Sequence, residues 1–195
     1  MLNIYRFLKL KTLRKLKLIF LKINTQNISL GKEVVIDIKT RIHVGKNKLV
    51  IGNNVYLRSE SRGYHAGMPF PTTILLDGKN STCFIGDNCR INGAYIHAQE
   101  NINIGKNTVI AAGVNIIDSN GHELYSSNRT NGRDMPSGIE IGNNVWIGLN
   151  AVVLKGSVIG DNSVIAAGSV VKGSFPKNAL LQGNPAQIVK ILDLK

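Results

Sequence analysis

Aliphatic residues recur every six positions in the C-terminal part of the chain. From residue 141 the sequence reads IGNNVW, IGLNAV, VLKGSV, IGDNSV, IAAGSV and VKGSFP, and each unit begins with an aliphatic residue. The residue four positions further on is small in every unit until Phe175. A period of six matches neither the 3.6-residue turn of an α-helix nor the two-residue alternation of a long strand. It predicts strands of about three residues separated by turns, with the aliphatic and the small side chain both directed inward.

The same unit recurs less regularly towards the N-terminus. Weaker copies begin at Ile51, Ile85, Ile91, Ile104 and Ile110, and shorter ones at Leu30-Gly31 and Val44-Gly45. Glycine and asparagine, which most easily adopt left-handed turn conformations, cluster between the aliphatic positions. An antiparallel sandwich would require strands of about five to six residues and a longer spacing. The repeat therefore predicts an all-β solenoid.

The period is broken between Ile116 and Ile141, which are 25 residues apart instead of six. The extra residues form a polar segment, rich in Asn, Ser and Gly, over about 118–138. A long loop on a rigid scaffold is often functional. This loop carries His122 close to the point where it leaves the solenoid.

The first 24 residues are strongly basic. They hold seven lysines and arginines and no acid, so they contribute more than half of the net charge of +12 of the 195-residue chain. On a helical wheel their apolar residues form one broad face, which Lys9 and Lys15 interrupt. Two interpretations are open. Residues 1–24 are an interfacial helix attracted to anionic lipid, or a cap that covers the open first coil of the solenoid.

Charge and cysteine content exclude several classes of protein. The excess of basic residues is concentrated in residues 1–24, the N-terminal arm, and is not spread over the chain. This argues against a protein that coats nucleic acid and against a nucleic-acid partner. Two cysteines cannot form a disulfide scaffold, and the repeat places Cys83 and Cys89 at inward positions, as buried structural thiols. The arm has neither the run of about 20 apolar residues that spans a bilayer nor a secretory signal, so we expect a cytoplasmic protein.

Three segments carry a resemblance to a known family: IGNNVWIG at residues 141–148, IGDNSVIAAGSVV at 159–171 and GNPAQIVK at 183–190. From about Leu30 to Lys190 the chain resembles the hexapeptide-repeat acyltransferases. Within that superfamily it is most similar to the galactoside, maltose and polysaccharide O-acetyltransferases. The resemblance implies a left-handed parallel β-helix, a triangular prism with three hexapeptides in each coil.

These observations together predict three parts of the chain. Residues 1–28 form a basic, partly amphipathic helical arm, and residues 29–176 form the left-handed β-helix with one extruded loop at about 118–138. Residues 177–195 form a C-terminal extension with a short helix.

The resemblance also implies where the chemistry lies. In similar enzymes a histidine in the same Gly-His context is the general base, and His122 occupies that position here. Asn92 and Trp146 match residues that bind the acceptor, although Asn92 is explained equally well as a turn former. The turn backbone around Gly148 is the candidate N–H donor to the thioester carbonyl. The implied positions for coenzyme A are Gly148, Ala166, Ala167, Lys172 and Lys190.

Two departures from the family pattern bear on the coenzyme A phosphates. Gln187 stands where the family has a lysine after its Gly-Asn-Pro-Ala segment, and Lys172 is followed by Gly173 rather than by the family's acidic residue. Phosphate contacts would then be displaced or weaker. Asp118 and Glu123 are candidates to orient the imidazole of His122, or are solvated loop acids.

The function that the resemblance implies is acetyl-CoA-dependent O-acetyl transfer to a saccharide hydroxyl, on a cell-envelope polysaccharide or its precursor. It implies direct transfer in a ternary complex, by a homotrimer whose sites lie between neighbouring prisms. Alternatives are an N-acetyltransferase of an amino sugar and a non-enzymatic hexapeptide scaffold. No metal is expected, because the four histidines, His43, His65, His97 and His122, include no closely spaced pair.

Overall fold

A computed structural model describes residues 11–21 and 26–193 of the chain. The predictions for residues 1–10, 22–25 and 194–195 lie outside these ranges. Residues 11–21 are helical (α1), and the remainder of the described chain is built of short strands. The first seven strands are β1 (Ile28–Leu30), β2 (Val35–Ile36), β3 (Arg41–His43), β4 (Lys48–Ile51), β5 (Tyr56–Arg58), β6 (Thr73–Leu76) and β7 (Thr82–Ile85). The next seven are β8 (Arg90–Asn92), β9 (Tyr95–Ala98), β10 (Asn101–Ile104), β11 (Val109–Ile110), β12 (Asn115–Ile117), β13 (Ile139–Ile141) and β14 (Trp146–Ile147). The last seven are β15 (Val152–Leu154), β16 (Val158–Ile159), β17 (Val164–Ile165), β18 (Val170–Val171), β19 (Ser174–Phe175), β20 (Ala179–Gly183) and β21 (Ala186–Ile191).

Every third strand pairs in parallel, which produces three sheets. Sheet A has the order β1-β4-β7-β10-β13-β16-β19, sheet B the order β2-β5-β8-β11-β14-β17-β20-β21, and sheet C the order β3-β6-β9-β12-β15-β18. The chain visits sheets A, B and C in turn, so three strands make one coil of a prism. We call its edges A–B, B–C and C–A after the sheets that they join. The predicted left-handed parallel β-helix is confirmed.

The core is a set of columns in which equivalent residues of successive coils stack. In sheet B from β2 to β17 the inward column runs through the second residue of each strand, with Ile91, Ile110, Ile147 and Ile165 fully buried. Burial of one such side chain contributes about 1.5–3 kcal/mol. Because consecutive side chains of a strand point to opposite faces, the residue before each of these points out from sheet B.

The A–B edge is a ladder of glycines and asparagines. Asn54, Asn88, Asn107, Asn144, Asn162 and Asn178 all have φ between 53° and 62°. Their side chains bond between coils, for example from Asn54 Nδ2 to Asn88 Oδ1 at 3.0 Å and from Asn144 Nδ2 to Asn162 Oδ1 at 3.0 Å. At the glycine two positions before each asparagine up to Asn162, a Cβ atom would lie less than 3 Å from backbone atoms of the next coil. The Gly-Asn signal in the sequence thus marks one edge of the prism.

Two loops leave the prism. Residues 118–138 connect β12 to β13 at the C–A edge, as the broken period predicts. A second loop, residues 59–72, connects β5 to β6 at the B–C edge, and we did not predict it. The sequence does carry a signal for it, because the inward residues Leu57 and Ile74 are 17 positions apart instead of six.

The predicted short C-terminal helix is wrong for the described residues. Residues 179–191 form a hairpin in which β21 pairs antiparallel with β20. β20 itself pairs in parallel with β17 through Leu180 and Leu181, so sheet B continues past residue 176. Ile188, Val189 and Ile191 are β-branched residues, which favour a strand over a helix.

Helix α1 covers the open end of the first coil. Leu21 is buried in the core and Leu18 packs against it. Arg14 forms an ion pair of 2.6 Å with the fully buried side chain of Asp37, and Lys17 Nζ donates to the carbonyl of Ile38 at 2.6 Å. Burial lowers the pKa of Lys17, and the charge of Asp37 opposes this change. These contacts make residues 11–21 a cap, one of the two roles considered for the arm. Within the described chain, no helix has the length and apolar character needed to cross a bilayer.

Candidate functional site

A cleft of about 630 Å³ lies on the outer face of sheet B. Its floor is the outward column Tyr56, Arg90, Val109 and Trp146, which are register partners on successive strands. Residues of the 59–72 loop form a wall. We call this space the sheet B cleft.

Both residues that the sequence assigns to the acceptor line the sheet B cleft. Trp146 is 55% exposed, although a lone tryptophan is ordinarily a core residue. Asn92 is buried, and its Nδ2 donates to the carbonyl of Ile110 at 2.9 Å. The side-chain oxygen of Asn92 is thereby fixed in orientation by a bond between adjacent coils.

Arg58 is held between two aromatic rings in this cleft. Its guanidinium carbon lies 4.9 Å from the ring centre of Tyr56 and 5.9 Å from that of Tyr64. The Nε atom is buried and has no hydrogen-bond partner among the described residues. The ring of His65 lies beside that of Tyr64, with 4.8 Å between the centroids. Cation–π contact fixes the plane of the guanidinium group without using its N–H donors.

The 59–72 loop folds onto the B–C edge of the next two coils. The hydroxyl of Tyr64 accepts a hydrogen bond of 3.2 Å from the backbone N–H of Ala112. The loop also packs closely on Gly93, where a Cβ atom would lie 2.5 Å from Met68 Cγ and 2.8 Å from the carbonyl oxygen of Phe70. The absence of a side chain at Gly93 therefore allows the loop to close one end of the B–C edge.

Beyond this point the B–C edge continues as an open, narrow strip. The N–H of Gly148 donates to the carbonyl of Ile165 at 2.8 Å, so it bonds within the prism. The next N–H along the turn, that of Leu149, has no acceptor among the described residues, and neither does that of Ala167 one coil further on. Ala167 and Gly168 are exposed and small. The strip thus offers outward N–H groups beside small side chains, which suits a thin, extended ligand with amide carbonyls.

The two predicted lysines do not lie together. Lys190 is in β21, next to Leu180 of β20, on the sheet B side. Lys172 follows β18, at the end of its strand that leads to the C–A edge. Both side chains are exposed. Within one chain, Lys190 is therefore nearer than Lys172 to the face that carries the cleft.

The base of the 118–138 loop is fixed by Asp134. Its carboxylate accepts hydrogen bonds from Ser119 Oγ at 2.7 Å and from the N–H of Asn120 at 2.7 Å, and it pairs with Lys155 Nζ at 2.7 Å. Burial opposes ionisation of Asp134, but the bonds from Lys155, Asn120 and Ser119 outweigh it and lower its pKa to about 2. This anchor, which sequence reasoning missed, holds the backbone immediately before His122.

His122 itself is exposed, and the sheet B cleft is not lined by it. The loop bonds to the rest of the described chain at His97, near the end of its strand, and at the turns that contain Gln99, Glu100, Lys155 and Gly156. All of these lie at or next to the C–A edge. In a triangular prism the C–A edge is opposite sheet B. The structure therefore brings Asn92 and Trp146 together but places the base of the His122 loop on the other side of the same chain.

The two acids considered as orienters of His122 differ, because the carboxylate of Asp118 has structural partners whereas Glu123 is bonded through its backbone carbonyl. Asp118 is fully buried, and its carboxylate accepts the N–H groups of Gln99 at 2.7 Å and Glu100 at 2.8 Å. Burial raises the pKa of Asp118, and these bonds oppose the rise. The carbonyl of Glu123 accepts a bond from Arg129 Nη1 at 2.7 Å. Both oxygens of the Asp118 carboxylate therefore bond to the turn at Gln99 and Glu100, and Asp118 is not free to orient His122 within the chain.

Both cysteines are buried in the core, as the repeat predicts. Burial raises the pKa of Cys83 to about 12 and that of Cys89 to about 11. The thiols are therefore protonated at neutral pH and are not nucleophiles. In the described ranges, no three His, Cys, Asp or Glu side chains are grouped so that they could hold a metal ion.

Comparison with known proteins supports the resemblance seen in the sequence. Residues 138–173 match the bacterial transferase hexapeptide family (six repeats). WbbJ of Escherichia coli (strain K12), a protein named for O-acetyl transfer in lipopolysaccharide biosynthesis, is 38% identical over 117 residues, which are 55% of this chain and 59% of WbbJ. The crystal structure of the polySia-specific acetyltransferase NeuO has a TM-score of 0.58 and 26% identity, covering 86% of this chain and 84% of that one.

A galactoside acetyltransferase solved in complex with coenzyme A is 32% identical, with a TM-score of 0.54 over 62% of this chain and 64% of that chain. The chain spans about half the length of the curated relatives that it matches, between 43% and 59% of the first three. These findings confirm the resemblance to hexapeptide-repeat acyltransferases.

Proposed function

We propose that this protein is an acetyl-CoA-dependent O-acetyltransferase that acts on a saccharide hydroxyl. The observation that carries the proposal is the continuity of two features. The small-residue strip of the B–C edge has N–H groups that bond to nothing in the described chain, and it begins two residues after Trp146, which lines a cleft of aromatic and polar side chains. A strip of this kind suits the pantetheine arm of coenzyme A, and such a cleft suits a sugar, whose faces are apolar and whose edges are polar.

The reacting groups follow from the chemistry of acyl transfer. Acetyl-CoA supplies an acetyl thioester. A sugar hydroxyl is a weak nucleophile at neutral pH, so a general base must take its proton as the oxygen attacks. His122 is the proposed base, because the Asp134 anchor holds its backbone and its imidazole is exposed. The buried cysteines leave no thiolate for a covalent route, which favours direct transfer in a ternary complex.

The backbone of the B–C edge is proposed to hold the thioester. Negative charge that develops on the carbonyl oxygen requires an N–H donor at a fixed position. The N–H of Leu149, in the turn around Gly148, is available for this role, and the N–H of Ala167 is available to a pantetheine carbonyl. The small side chains of Ala166 and Ala167 leave room for the pantetheine group of coenzyme A. Lys190 and Lys172 are the proposed partners of the coenzyme A phosphates, supplied by one chain or by two.

A homotrimer would complete the site. His122 leaves one chain at the C–A edge, opposite the sheet B cleft of the same chain. Two prisms that stand side by side can bring the loop of one copy to the cleft of the next. The loop also exposes Leu124, Tyr125 and Met135, and Tyr125 is 92% exposed. Apolar side chains this exposed in a single chain are typical of a surface that another chain covers.

The proposal is tested by release of free CoA thiol from acetyl-CoA in the presence of a panel of saccharides. We expect thiol release that depends on an added sugar, with an acetyl ester as product. Alkaline hydroxylamine, applied to the acetylated sugar after removal of acetyl-CoA, cleaves O-acetyl esters but not amides, and this separates the product from that of an N-acetyltransferase of an amino sugar. No binding of CoA and no turnover with any sugar would contradict the proposal and favour the scaffold alternative.

Contact with an anionic membrane is a further part of the proposal. The cap uses Arg14 and Lys17, but Leu13, Leu16 and Ile19 are exposed on α1, and Lys11 and Lys15 are exposed beside them. An apolar helical face flanked by lysines is typical of an interfacial helix. The cap and the membrane contact therefore use different sides of α1 and do not exclude one another.

We expect the protein to sediment with vesicles that contain anionic phosphatidylserine and not with vesicles of phosphatidylcholine alone. Each lysine near an anionic surface contributes about 1 kcal/mol, so Lys11→Gln with Lys15→Gln should weaken binding about 20–30-fold. The matched control is Lys46→Gln with Lys48→Gln, two exposed lysines on the second coil. Equal loss in the two double variants, or binding that is insensitive to salt, would contradict a contact through α1.

A further inference from the structure

The sheet B cleft is a site with excess positive charge. Of the residues that line it, Arg58 and Arg90 are cationic and Glu33 is the one acid. No carboxylate pairs with either arginine among the described residues. Elsewhere on the described surface Arg14, Lys39, Lys106 and Lys155 all have carboxylate partners. The cleft therefore holds two guanidinium groups whose charge the described chain does not neutralise.

Arg58 is the more informative of the two. An exposed, unpaired arginine such as Arg90 is common at protein surfaces and by itself indicates nothing. Arg58, however, is half-buried between Tyr56 and Tyr64, and its buried Nε lacks a partner among the described residues. A buried donor that bonds to nothing costs about 1–3 kcal/mol. The enclosed Nε is out of reach of a ligand, but it shows that the described chain gives this guanidinium group no acceptor there, and Arg58 also lines the cleft, where a ligand can supply one.

The two arginines converge because of the register of the coils. Tyr56 and Arg58 lie on β5, and Arg90 lies on β8 opposite Tyr56, so Arg58 and Arg90 are diagonal neighbours on adjacent strands. The 59–72 loop then brings the ring centre of Tyr64 to 5.9 Å from the guanidinium carbon of Arg58. A planar guanidinium fork of fixed orientation matches a carboxylate or phosphate group, with two parallel hydrogen bonds.

We infer that the acceptor of this enzyme is an anionic saccharide, whose carboxylate or phosphate group is bound by Arg58 and Arg90. The inference rests on the proposed function and extends it to the class of substrate. Trp146 offers a ring face to the sugar, and the two arginines, one of them held by Tyr56 and Tyr64, bind its acidic group. The 59–72 loop is thus the element that selects the acceptor, whereas the 118–138 loop supplies the base.

The test compares two matched pairs of acceptors. One pair is a uronic acid disaccharide and its carboxyl-reduced counterpart, and the other is a hexose phosphate and the free hexose. Transfer is measured as kcat/KM for thiol release, and binding is measured separately by saturation-transfer NMR without acetyl-CoA. We expect the charged member of at least one pair to be preferred tenfold or more, and the pair that shows this preference distinguishes carboxylate from phosphate.

Three variants and a control assign the preference to the arginines. Arg90→Gln and Arg58→Gln should each lower binding of the charged acceptor about 10–100-fold, the effect of one charge-assisted bond, and should change the neutral acceptor less than threefold. Arg58→Lys keeps the charge but loses the planar fork, so it should recover only part of the binding. Arg41→Gln removes an exposed arginine from sheet C and should leave both acceptors unaffected.

The outcomes separate this inference from the proposed function. If thiol release is absent but the charged sugars still bind through Arg58 and Arg90, the anionic site is supported and the transfer proposal fails. If transfer proceeds equally with charged and neutral sugars, or if both arginine variants lose the two kinds of acceptor to the same extent, the anionic site is overturned while the transfer proposal stands. Failure of every charged sugar to bind overturns the anionic site as well.

Discussion

Replacement of His122 by alanine is expected to lower sugar-dependent thiol release by about 10²–10⁴-fold, the usual contribution of a general base. The effect should appear in kcat, because His122 is exposed and makes none of the described hydrogen bonds that hold the loop. Binding of CoA and the thermal midpoint should therefore remain those of the wild-type protein. The measurement is steady-state kinetics together with a CoA titration.

His43→Ala is the matched control, because His43 is exposed on sheet C and lies outside the proposed site. Its kcat should equal that of the wild-type enzyme. Full activity of His122→Ala would show that another group is the base. Loss of CoA binding along with activity would instead indicate that the loop is needed for assembly of the site.

The same variant tests whether two chains share one site. If His122 of one copy meets Trp146 of the next, co-refolded His122→Ala and Trp146→Ala chains form some sites with both residues intact. Random mixing in a closed ring gives about one quarter of the wild-type sites. A mixture no more active than its components would show that each chain completes its own site.

The sequence predicted the inward positions and turns of the solenoid well because the period is local and strict, whereas its coiling as a left-handed triangular prism is what the family resemblance implies. Each inward aliphatic residue and each Gly-Asn turn is set by its own six-residue unit, so no long-range information is needed. The loop at 118–138 could be predicted for the same reason, since it interrupts a region where the phase is otherwise exact from unit to unit. Its anchor could not, because Asp134 and Lys155 have no spacing signal and meet only when the loop returns.

The sheet B cleft shows where sequence reasoning stops. The 59–72 loop falls in the part of the chain where the repeats are weak, so its extra residues did not stand out. Tyr56 and Arg90 are register partners although 34 positions separate them, and that separation depends on the length of the loop between them. A site assembled across coils in this way becomes visible only when the register is known. The predicted C-terminal helix is wrong for a different reason, because β20 continues sheet B beside β17 and offers β21 a strand to pair with.

The glycines of the A–B edge are expected to be essential for stability, and Gly105 is the example with a large predicted effect. Gly105 lies in an Ile-Gly-x-Asn unit, and a Cβ atom at this position would lie 2.5 Å from the backbone carbon and oxygen of Gly142 and 2.7 Å from the N–H nitrogen of Asn143. These are backbone atoms of the next coil, which hydrogen bonds such as Gly105 N to Ile141 O at 2.7 Å hold in register. They cannot move aside as a flexible side chain would.

Gly105→Ala should therefore lower the free energy of unfolding by about 3 kcal/mol, at the upper end of the cost of overpacking. The matched control is Gly67→Ala in the 59–72 loop, where a Cβ atom would meet no atom within 4 Å and the change should stay within about 0.5 kcal/mol. Urea denaturation of the two variants measures the difference. Equal stability of the two would mean that adjacent coils can separate to admit a methyl group. The ladder would then be a consequence of turn conformation at the asparagines, and the repeated glycine would report nothing about the spacing of the coils.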